Sequence, residues 1–341
     1  MSHFKYSFVF TAIALVLVSI WGLHQNGMTG LFTALSITII LVVMEVSLSF
    51  DNAVVNASIL KGWDDYWKKI FLTVGIVVAV FGMRLLFPIF IVSQTADMSM
   101  LDVWHLALNE PNKYSANLIA HHTEISTFGG MFLLLVFFNF LFDLDKDVHW
   151  FGKIEEKISQ LGKIEASSTL VALYILVTIL AFVDGDKISV LIAGIWGVMV
   201  YLSVHAVGII LEHINDDKAK IATTVAKGSL GGFIYLEMLD ASFSFDGVIG
   251  SFAITNDIVV IMVGLGIGAM FVRSMTLYLV DKGTLDSYIF LEHGAHYAIG
   301  ALAFIMILSS TGIHIPEIVT GLVGVSFILW SLYSSIRHKN P

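Results

Sequence analysis

The chain has 341 residues, of which 57% are hydrophobic and 13% are charged, and it contains no cysteine. Soluble domains have about 25% charged residues, so most of the apolar surplus must face lipid and the composition indicates an α-helical membrane protein. The lack of cysteine excludes disulfides and thiolate metal sites. The net charge of −9, without a basic face, excludes nucleic acid as a partner.

The apolar segments predict ten transmembrane helices, because a helix that crosses about 30 Å of hydrocarbon needs roughly 20 apolar residues. In chain order the predicted spans are 8–23, 31–60, 70–93, 125–143, 168–183, 188–211, 227–254, 258–280, 293–311 and 315–335. The first is interpreted as a retained helix rather than a signal peptide, because no cleavage-site pattern of small residues follows it.

The distribution of Lys and Arg predicts the orientation of these spans. Most of the 18 Lys and Arg residues fall in the loops on one side of the predicted membrane. Only Lys113 and Lys187 fall on the other side, and Arg84 and Arg273 lie inside spans. Because positive residues favour the cytoplasmic side, we expect a multi-pass protein of the cell inner (plasma) membrane, in contact with the lipid bilayer, with both termini in the cytoplasm.

The longest inner loop, residues 144–166, carries Phe151, Ile154, Ile158 and Leu161 at helical spacing. This pattern is typical of an amphipathic helix on the inner membrane face. A solvated tether is the alternative interpretation.

The sequence contains an internal repeat. Residues 45–54 read EVSLSFDNAV and residues 240–249 read DASFSFDGVI, and a V-G-x8-R pattern recurs in the span that follows each. We therefore predict two transmembrane repeats, 1–183 (with the inner amphipathic linker 144–166) and 184–341. Each repeat has five spans, an odd number, so the second is inverted. Inverted repeats build many secondary transporters, with the substrate site near the membrane midplane.

The repeated segments place carboxylates inside predicted spans. They are Glu45, Asp51, Asp240 and Asp246, with Glu237 as a fifth. Each costs roughly 2.5–3.5 kcal/mol at the centre of a span. Two arginines, Arg84 and Arg273, do not neutralise four or five carboxylates, so we favour a bound cation over internal pairing alone. The arginines are expected to hold the acidic spans in register or to replace the cation in the empty state, and interfacial snorkelling is the alternative.

The side chains of this predicted site offer oxygen atoms and no thiolate. Oxygen ligands suit Mn²⁺, Ca²⁺ or Mg²⁺, and protons are the obvious counter-ion for carboxylates that lose a cation. Glu45 and Asp51 lie about 120° apart on a continuous helix. Ser49, Asn52 and Ser244 tolerate a helix break that would aim both acids at one point, and a straight helix with the acids on neighbouring faces is the alternative.

These motifs resemble those of the TerC/Alx family of integral membrane proteins in the LysE transporter superfamily, and most of all a branch without an assigned function. The family signature E-x-x-L-S-x-D-N is matched by Glu45, Leu48, Ser49, Asp51 and Asn52. The second signature, D-x-x-F-A-x-D-S-I-P-A, is matched at Asp240, Phe243 and Asp246 and departs at Ser244, Gly247, Ile249 and Gly250. The resemblance implies metal-ion efflux, chiefly of manganese as the transported substrate. The metal positions that it implies are Glu45, Asp51, Asn52, Asp240 and Asp246, and Ser49, Ser244, Glu237, Arg84 and Arg273 would support them.

Three other functions are alternatives to a metal transporter. An intramembrane aspartyl hydrolase would need Y-D and G-x-G-D motifs, and neither occurs near Asp51 or Asp246, so we predict that the protein is not an enzyme. An amino-acid exporter of the same superfamily and a membrane scaffold with a structural metal stay open. A homodimer is compatible with all of these interpretations.

Overall fold

The computed structural model describes residues 3–95, 98–213, 228–283, 287–313 and 315–339. Within these ranges every regular element is a helix, so the predicted all-α class is confirmed for this part of the chain. The helices are α1 (Lys5–Leu48), α2 (Phe50–Leu60), α3 (Asp65–Val77), a π-helical segment (Val78–Leu86), α4 (Phe87–Thr95), α5 (Met100–Asn109), α6 (Pro111–Ala120), α7 (His122–Leu141), α8 (Lys153–Ser159), a short 3₁₀ helix (Gln160–Lys163), α9 (Ser167–Ile179), α10 (Lys187–His213), α11 (Leu230–Ser251), α12 (Ile258–Asp281), α13 (Leu291–Ser309) and α14 (Glu317–Lys339).

Seven helical segments in the described ranges are long and apolar enough to cross a membrane. They are Lys5–Leu48, Asp65–Phe90, His122–Leu141, Lys187–Ala206, Ile258–Asp281, Leu291–Ser309 and Val319–His338. The pair Lys153–Lys163 and Ser167–Ile179, bent by 99°, would be an eighth. A helix lies at each predicted span, although residue 227, where the seventh begins, is outside the described residues. The count of ten crossings and the inverted arrangement therefore stay predictions.

Helix α1 consists of two legs that fold back on each other. Asn26 (φ −151°, ψ 40°) and Gly27 (φ 55°, ψ −142°) interrupt it, and the positive φ of Gly27 favours a residue without Cβ. A Cβ atom on Gly22 would lie 2.6 Å from the carbonyl oxygen of Gly30. Residues eight apart in a continuous helix would be separated by about 12 Å, so the two legs form a tight hairpin.

The first repeated segment is interrupted between its two acids. Helix α1 ends at Leu48, Ser49 has a φ of −98° and a ψ of 20°, and α2 begins at Phe50. The second repeated segment lies inside α11, which is one unbroken helix of 22 residues. A break is thus present at the first motif, as expected. The expectation of a break near Ser244 in the second motif is wrong, because α11 is continuous there.

The chain divides into two compact units, each of which is discontinuous in sequence. Unit 1 comprises Met1–Ala53, Asp65–His122 and Phe243–Tyr278. Unit 2 comprises Val54–Asp64, Thr123–Ser242 and Leu279–Pro341. Each unit combines segments from both predicted repeats, so the boundary between residues 183 and 184 stays a prediction.

In unit 1 the second leg of α1 packs closely on α12. A Cβ atom on Gly264 would lie 2.6 Å from Cβ of Leu41, and one on Gly268 would lie 2.5 Å from Cβ of Glu45. Two glycines four residues apart on one helix allow a second helix to approach its backbone. The glycines of α12 therefore determine how closely the second leg of α1, which carries Glu45, approaches α12.

In unit 2 helix α7 packs against α13 through small residues in the same way. A Cβ atom on Gly130 would lie 2.8 Å from the side chain of Ile307, and one on Gly300 would lie 2.7 Å from the ring of Phe137. The linker of residues 144–166 is anchored beside this pair of helices. Its residue Glu155, which is 1% exposed, accepts hydrogen bonds from Lys146 Nζ at 2.6 Å and from the backbone N–H of Phe151 at 3.1 Å.

On α13, His293 contributes to the contacts that anchor the linker. Its Nε2 atom lies 2.8 Å from the carbonyl oxygen of Val148 and 3.6 Å from Oε1 of Glu155. On α8 the side chain of Ile154 is 68% exposed while Glu155 and Ser159 are buried. The linker helix thus turns its polar side toward α13 and an apolar side chain outward.

The α1 hairpin gives a first prediction. Gly30→Ala would place a Cβ atom onto the carbonyl oxygen of Gly22, so we expect a loss of stability of about 1–3 kcal/mol from overpacking, measured as a lower midpoint of thermal unfolding in detergent. Ser36→Thr adds a methyl group at an exposed position of the same leg and serves as the control, with a change within about 0.5 kcal/mol. An unchanged midpoint for Gly30→Ala would contradict the hairpin.

The linker anchor gives a second prediction. Glu155→Gln leaves Lys146 buried without its carboxylate, so we expect the linker to open more often and trypsin to cut at Lys153, Lys157 or Lys163 at least about tenfold faster. Glu156→Gln changes the neighbouring exposed carboxylate and should leave the cleavage rate unchanged. Equal cleavage rates in the two variants would show that the anchor does not hold the linker.

Candidate cation site

The carboxylate of Glu45 is buried near the end of α1 and is held by a buried arginine. Arg84 Nη2 donates to Glu45 Oε1 at 2.5 Å, and both side chains are 3% exposed. Ser49 Oγ donates to the same carboxylate oxygen at 3.3 Å. Since a buried charge without a partner is strongly unfavourable, this ion pair fixes the position of Glu45 in unit 1.

Two glycines of other helices form the walls around Glu45. A Cβ atom on Gly268 of α12 would overlap the Glu45 side chain, and one on Gly247 of α11 would lie 3.1 Å from Glu45 Oε2. Gly247 directly follows Asp246 in the second repeated segment. The backbone of the second motif therefore approaches the acidic side chain of the first motif inside unit 1.

Asp51 and Asn52 lie in the first turn of α2 and are buried at 7% and 3% exposure. The backbone N–H of Asn52 donates to Oδ1 of Asp51 at 2.9 Å. The first N–H groups of a helix lack partners within the helix, and a carboxylate is stabilised there. The interruption at Ser49 thus gives Asp51 the start of a helix, which a continuous helix would not.

The acidic side chains of the second motif lie on α11. Glu237 and Asp240 are each 4% exposed, and Ser244 is buried too, with no hydrogen-bond partner for its Oγ atom among the described residues. The side chain of Asp246 lies outside the part of the structure that is described, although its backbone is helical. Among the described residues no three His, Asp or Glu side chains are close enough together to hold a metal ion.

The two arginines at equivalent repeat positions are both almost completely buried. Arg84 lies in the π-helical segment and donates through Nη1 to the carbonyl oxygen of Ala79 at 2.8 Å, in addition to its bond to Glu45. Arg273 lies in the regular helix α12, donates through Nη1 to the carbonyl oxygen of Phe71 at 2.8 Å, and stands 4.1 Å from the centre of the Phe71 ring. In unit 1 Arg84 thus donates to a carboxylate and to a backbone oxygen, and Arg273 donates to a backbone oxygen and stands over an aromatic ring.

Sequence reasoning missed several residues of this region. Gly264 and Gly268 form a G-x-x-x-G pattern, which is a known sign of close packing between membrane helices and would have predicted the approach of α1. Thr38 and Asn56 are 0% exposed, and their side-chain polar atoms have no hydrogen-bond partner among the described residues. Asn56 follows Asn52 by one helical turn, and this spacing could have drawn attention to it.

The described helices and their buried charges define a multi-pass α-helical membrane protein. The chain belongs to the family described as "Protein of unknown function (DUF475)", whose model matches residues 50–340. The match includes Asp51, Asn52 and all of α11, and it begins after Glu45. No curated protein and no solved structure matches the chain.

The ion pair gives a third prediction. Glu45→Gln and Arg84→Gln should each lower the free energy of unfolding by about 3–5 kcal/mol, because each leaves a buried charge unpaired. The double variant should lose less than the sum, with a coupling energy of about 0.5–3 kcal/mol in a double-mutant cycle in detergent. A second cycle that combines Glu45→Gln with Arg337→Gln, a change at an exposed arginine, should be additive. Additive losses in the first cycle would contradict the ion pair.

Proposed function

We propose that this protein transports a divalent metal cation across the membrane, with manganese efflux from the cytoplasm as the favoured activity. The proposed ligands come from both motifs: Glu45, Asp51, Asn52, Asp240 and Asp246. The same proposal includes the two inverted repeats, the kinship with the TerC/Alx family, and a location in the cell inner (plasma) membrane with both termini in the cytoplasm.

The observation that carries the proposal is the contact between the two motifs in unit 1. Glu45 Oε2 would lie 3.1 Å from a Cβ atom on Gly247, and glycine at this position leaves room beside the carboxylate. The sequence similarity alone would also fit two copies of a motif that never meet. The approach of the acidic end of one motif to the backbone of the other supports a site with ligands from both motifs.

The charges of the buried side chains also support a cation as the substrate. In unit 1 Glu45 and Asp51 are both buried and carry two negative charges when ionised. Arg84 of the same unit is bound to Glu45. A cation that enters such a region adds the positive charge that makes ionised carboxylates tolerable in an environment of low dielectric constant.

The types of atom on these helices favour a hard divalent ion. Carboxylate, amide and hydroxyl oxygens from Asp51, Asn52, Ser49 and Ser244 are ligands that Mn²⁺, Mg²⁺ and Ca²⁺ accept. The chain has no cysteine, so thiolates, which select soft ions such as Cu⁺, are absent. Mn²⁺ is the favoured substrate because of the TerC/Alx resemblance, and Ca²⁺ and Mg²⁺ are the alternatives.

The fourth prediction is a transport experiment. The full-length protein in proteoliposomes should transport Mn²⁺ when a panel of Mn²⁺, Ca²⁺ and Mg²⁺ is offered, and Asp51→Asn and Asp246→Asn should each reduce the flux at least about tenfold. A tenfold loss corresponds to about 1.4 kcal/mol, which is less than the cost of removing one charged ligand from a buried ion. Glu156→Gln, a change at an exposed carboxylate of the linker, should leave the flux unchanged.

The same experiment separates the alternative functions. Competition by lysine, with no effect of divalent ions, would indicate an amino-acid exporter. Stabilisation by Mn²⁺ without flux would indicate a scaffold with a structural metal. Undiminished Mn²⁺ flux in both aspartate variants would remove Asp51 and Asp246 from the site.

A further inference from the structure

The positive charge next to Glu45 comes from a residue in the π-helical segment. Arg84 donates to Glu45 Oε1 through Nη2 and to the carbonyl oxygen of Ala79, five residues earlier, through Nη1. Its Nε atom is buried and has no acceptor among the described residues. Arg84 therefore occupies the position of a counter-cation at Glu45, although its own hydrogen-bonding capacity is only partly used.

The helix that carries Arg84 has an unusual register. Val78–Leu86 forms a π-helix, in which each backbone bond joins residues five apart, whereas α3 before it and α4 after it have the usual spacing of four. Such segments are rare, and many occur at functional sites. In the second predicted repeat the equivalent arginine, Arg273, lies in the continuous α-helix α12, so the π register distinguishes Arg84 from its counterpart in the repeat.

A π-helical turn contains one residue more than an α-helical turn. When such a turn changes to the α register, the residues on one side of it rotate by about 100° relative to the other side and shift by about 1.5 Å along the axis. A rotation of this size would move the Arg84 side chain to another face of its helix and away from Glu45. The change needs no unfolding, because the backbone bonds are exchanged within one turn.

We propose that Arg84 is a built-in competitor for the cation at Glu45, and that the π-helical segment Val78–Leu86 is the element that withdraws it when a divalent cation binds. This inference rests on the proposed function. A divalent ion brings two positive charges to a carboxylate that now receives one, so the exchange leaves Glu45 compensated in both states. The return of Arg84 then displaces the ion and allows its release without a bare buried carboxylate.

If Arg84 competes with the cation, its removal should change the affinity for Mn²⁺ in a way that the removal of a merely structural arginine would not. In Arg84→Gln the competitor is gone, so the full-length protein in detergent should bind ⁵⁴Mn²⁺ at least about tenfold more tightly than the wild type, while Mn²⁺ turnover in proteoliposomes should fall at least about tenfold because release is slow. Arg84→Lys keeps a positive charge and should restore an affinity close to that of the wild type. Arg337→Gln, at an exposed arginine, should change neither quantity.

The outcomes separate this inference from the proposed function. A wild type that binds none of Mn²⁺, Ca²⁺ and Mg²⁺ would overturn the proposed function and the inference with it. A wild type that binds Mn²⁺, together with an Arg84→Gln variant of equal or weaker affinity, would overturn the inference alone. Equal tightening in Arg273→Gln would also overturn it, because the effect would then come from any loss of buried positive charge.

If the Arg84→Gln variant does not fold, a measurement on the wild-type protein still tests the inference. Saturating Mn²⁺ should change amide hydrogen exchange within residues 78–86 at least about tenfold, because the backbone bonds of this segment are exchanged when it leaves the π register. Exchange in α14, at the other end of the chain, serves as the internal reference. Exchange that is unaltered in residues 78–86 while Mn²⁺ is bound would overturn the inference.

Discussion

A carboxylate buried among apolar helices is tolerated only where a positive charge lies against it, and much of unit 1 depends on how this is achieved at Glu45. Arg84 supplies the charge from the π-helical segment, and Ser49 adds a hydrogen bond from the point where α1 ends. The ion pair thus ties the end of α1 to the π-helical segment. Because both side chains are almost completely buried, salt and water screen the pair little, and its strength depends on the register of the helices that carry it.

The same region shows why packing and chemistry are not separable in a membrane protein. Helices in lipid gain no hydrophobic free energy by association and rely on close contact between small residues. Gly264 and Gly268 of α12 allow this contact with the second leg of α1, and Gly268 does so directly against the Glu45 side chain. A larger residue at position 268 would push the acidic leg away from α12 and would also move Glu45 relative to Arg84. The glycines that pack unit 1 are therefore also the residues that set the geometry of the candidate site.

Composition and apolar length predict the positions of the helices well, because a lipid environment leaves the backbone few choices other than a helix. The repeated motif predicts the interruption near Ser49, since serine and asparagine tolerate a break, and it directs attention to Glu45. The π register of Val78–Leu86 is not predictable in this way, because no residue in VAVFGMRLL requires bonds between residues five apart. Nor is the burial of Glu155, because the apolar residues Ile154 and Leu161 indicate only which side of the linker avoids water. The side of the linker that carries Glu155 is fixed by contacts with Lys146 and His293. His293 lies on α13, far away in the sequence.

The two repeated segments share two serines, a phenylalanine and an aspartate at matching positions but have different backbones, and this difference limits what each can offer an ion. In α11 the backbone is continuous through Asp240 and Asp246, so its carbonyl oxygens are engaged within the helix and only side chains are available. At the first motif the helix stops and starts again around Ser49, and Asp51 lies at a helix start, where it accepts a backbone N–H. Proline would end or kink a helix, and the stretch from Asp240 to Ser251 contains none. This agrees with the continuity of α11, which assigns any backbone contribution to the first motif alone.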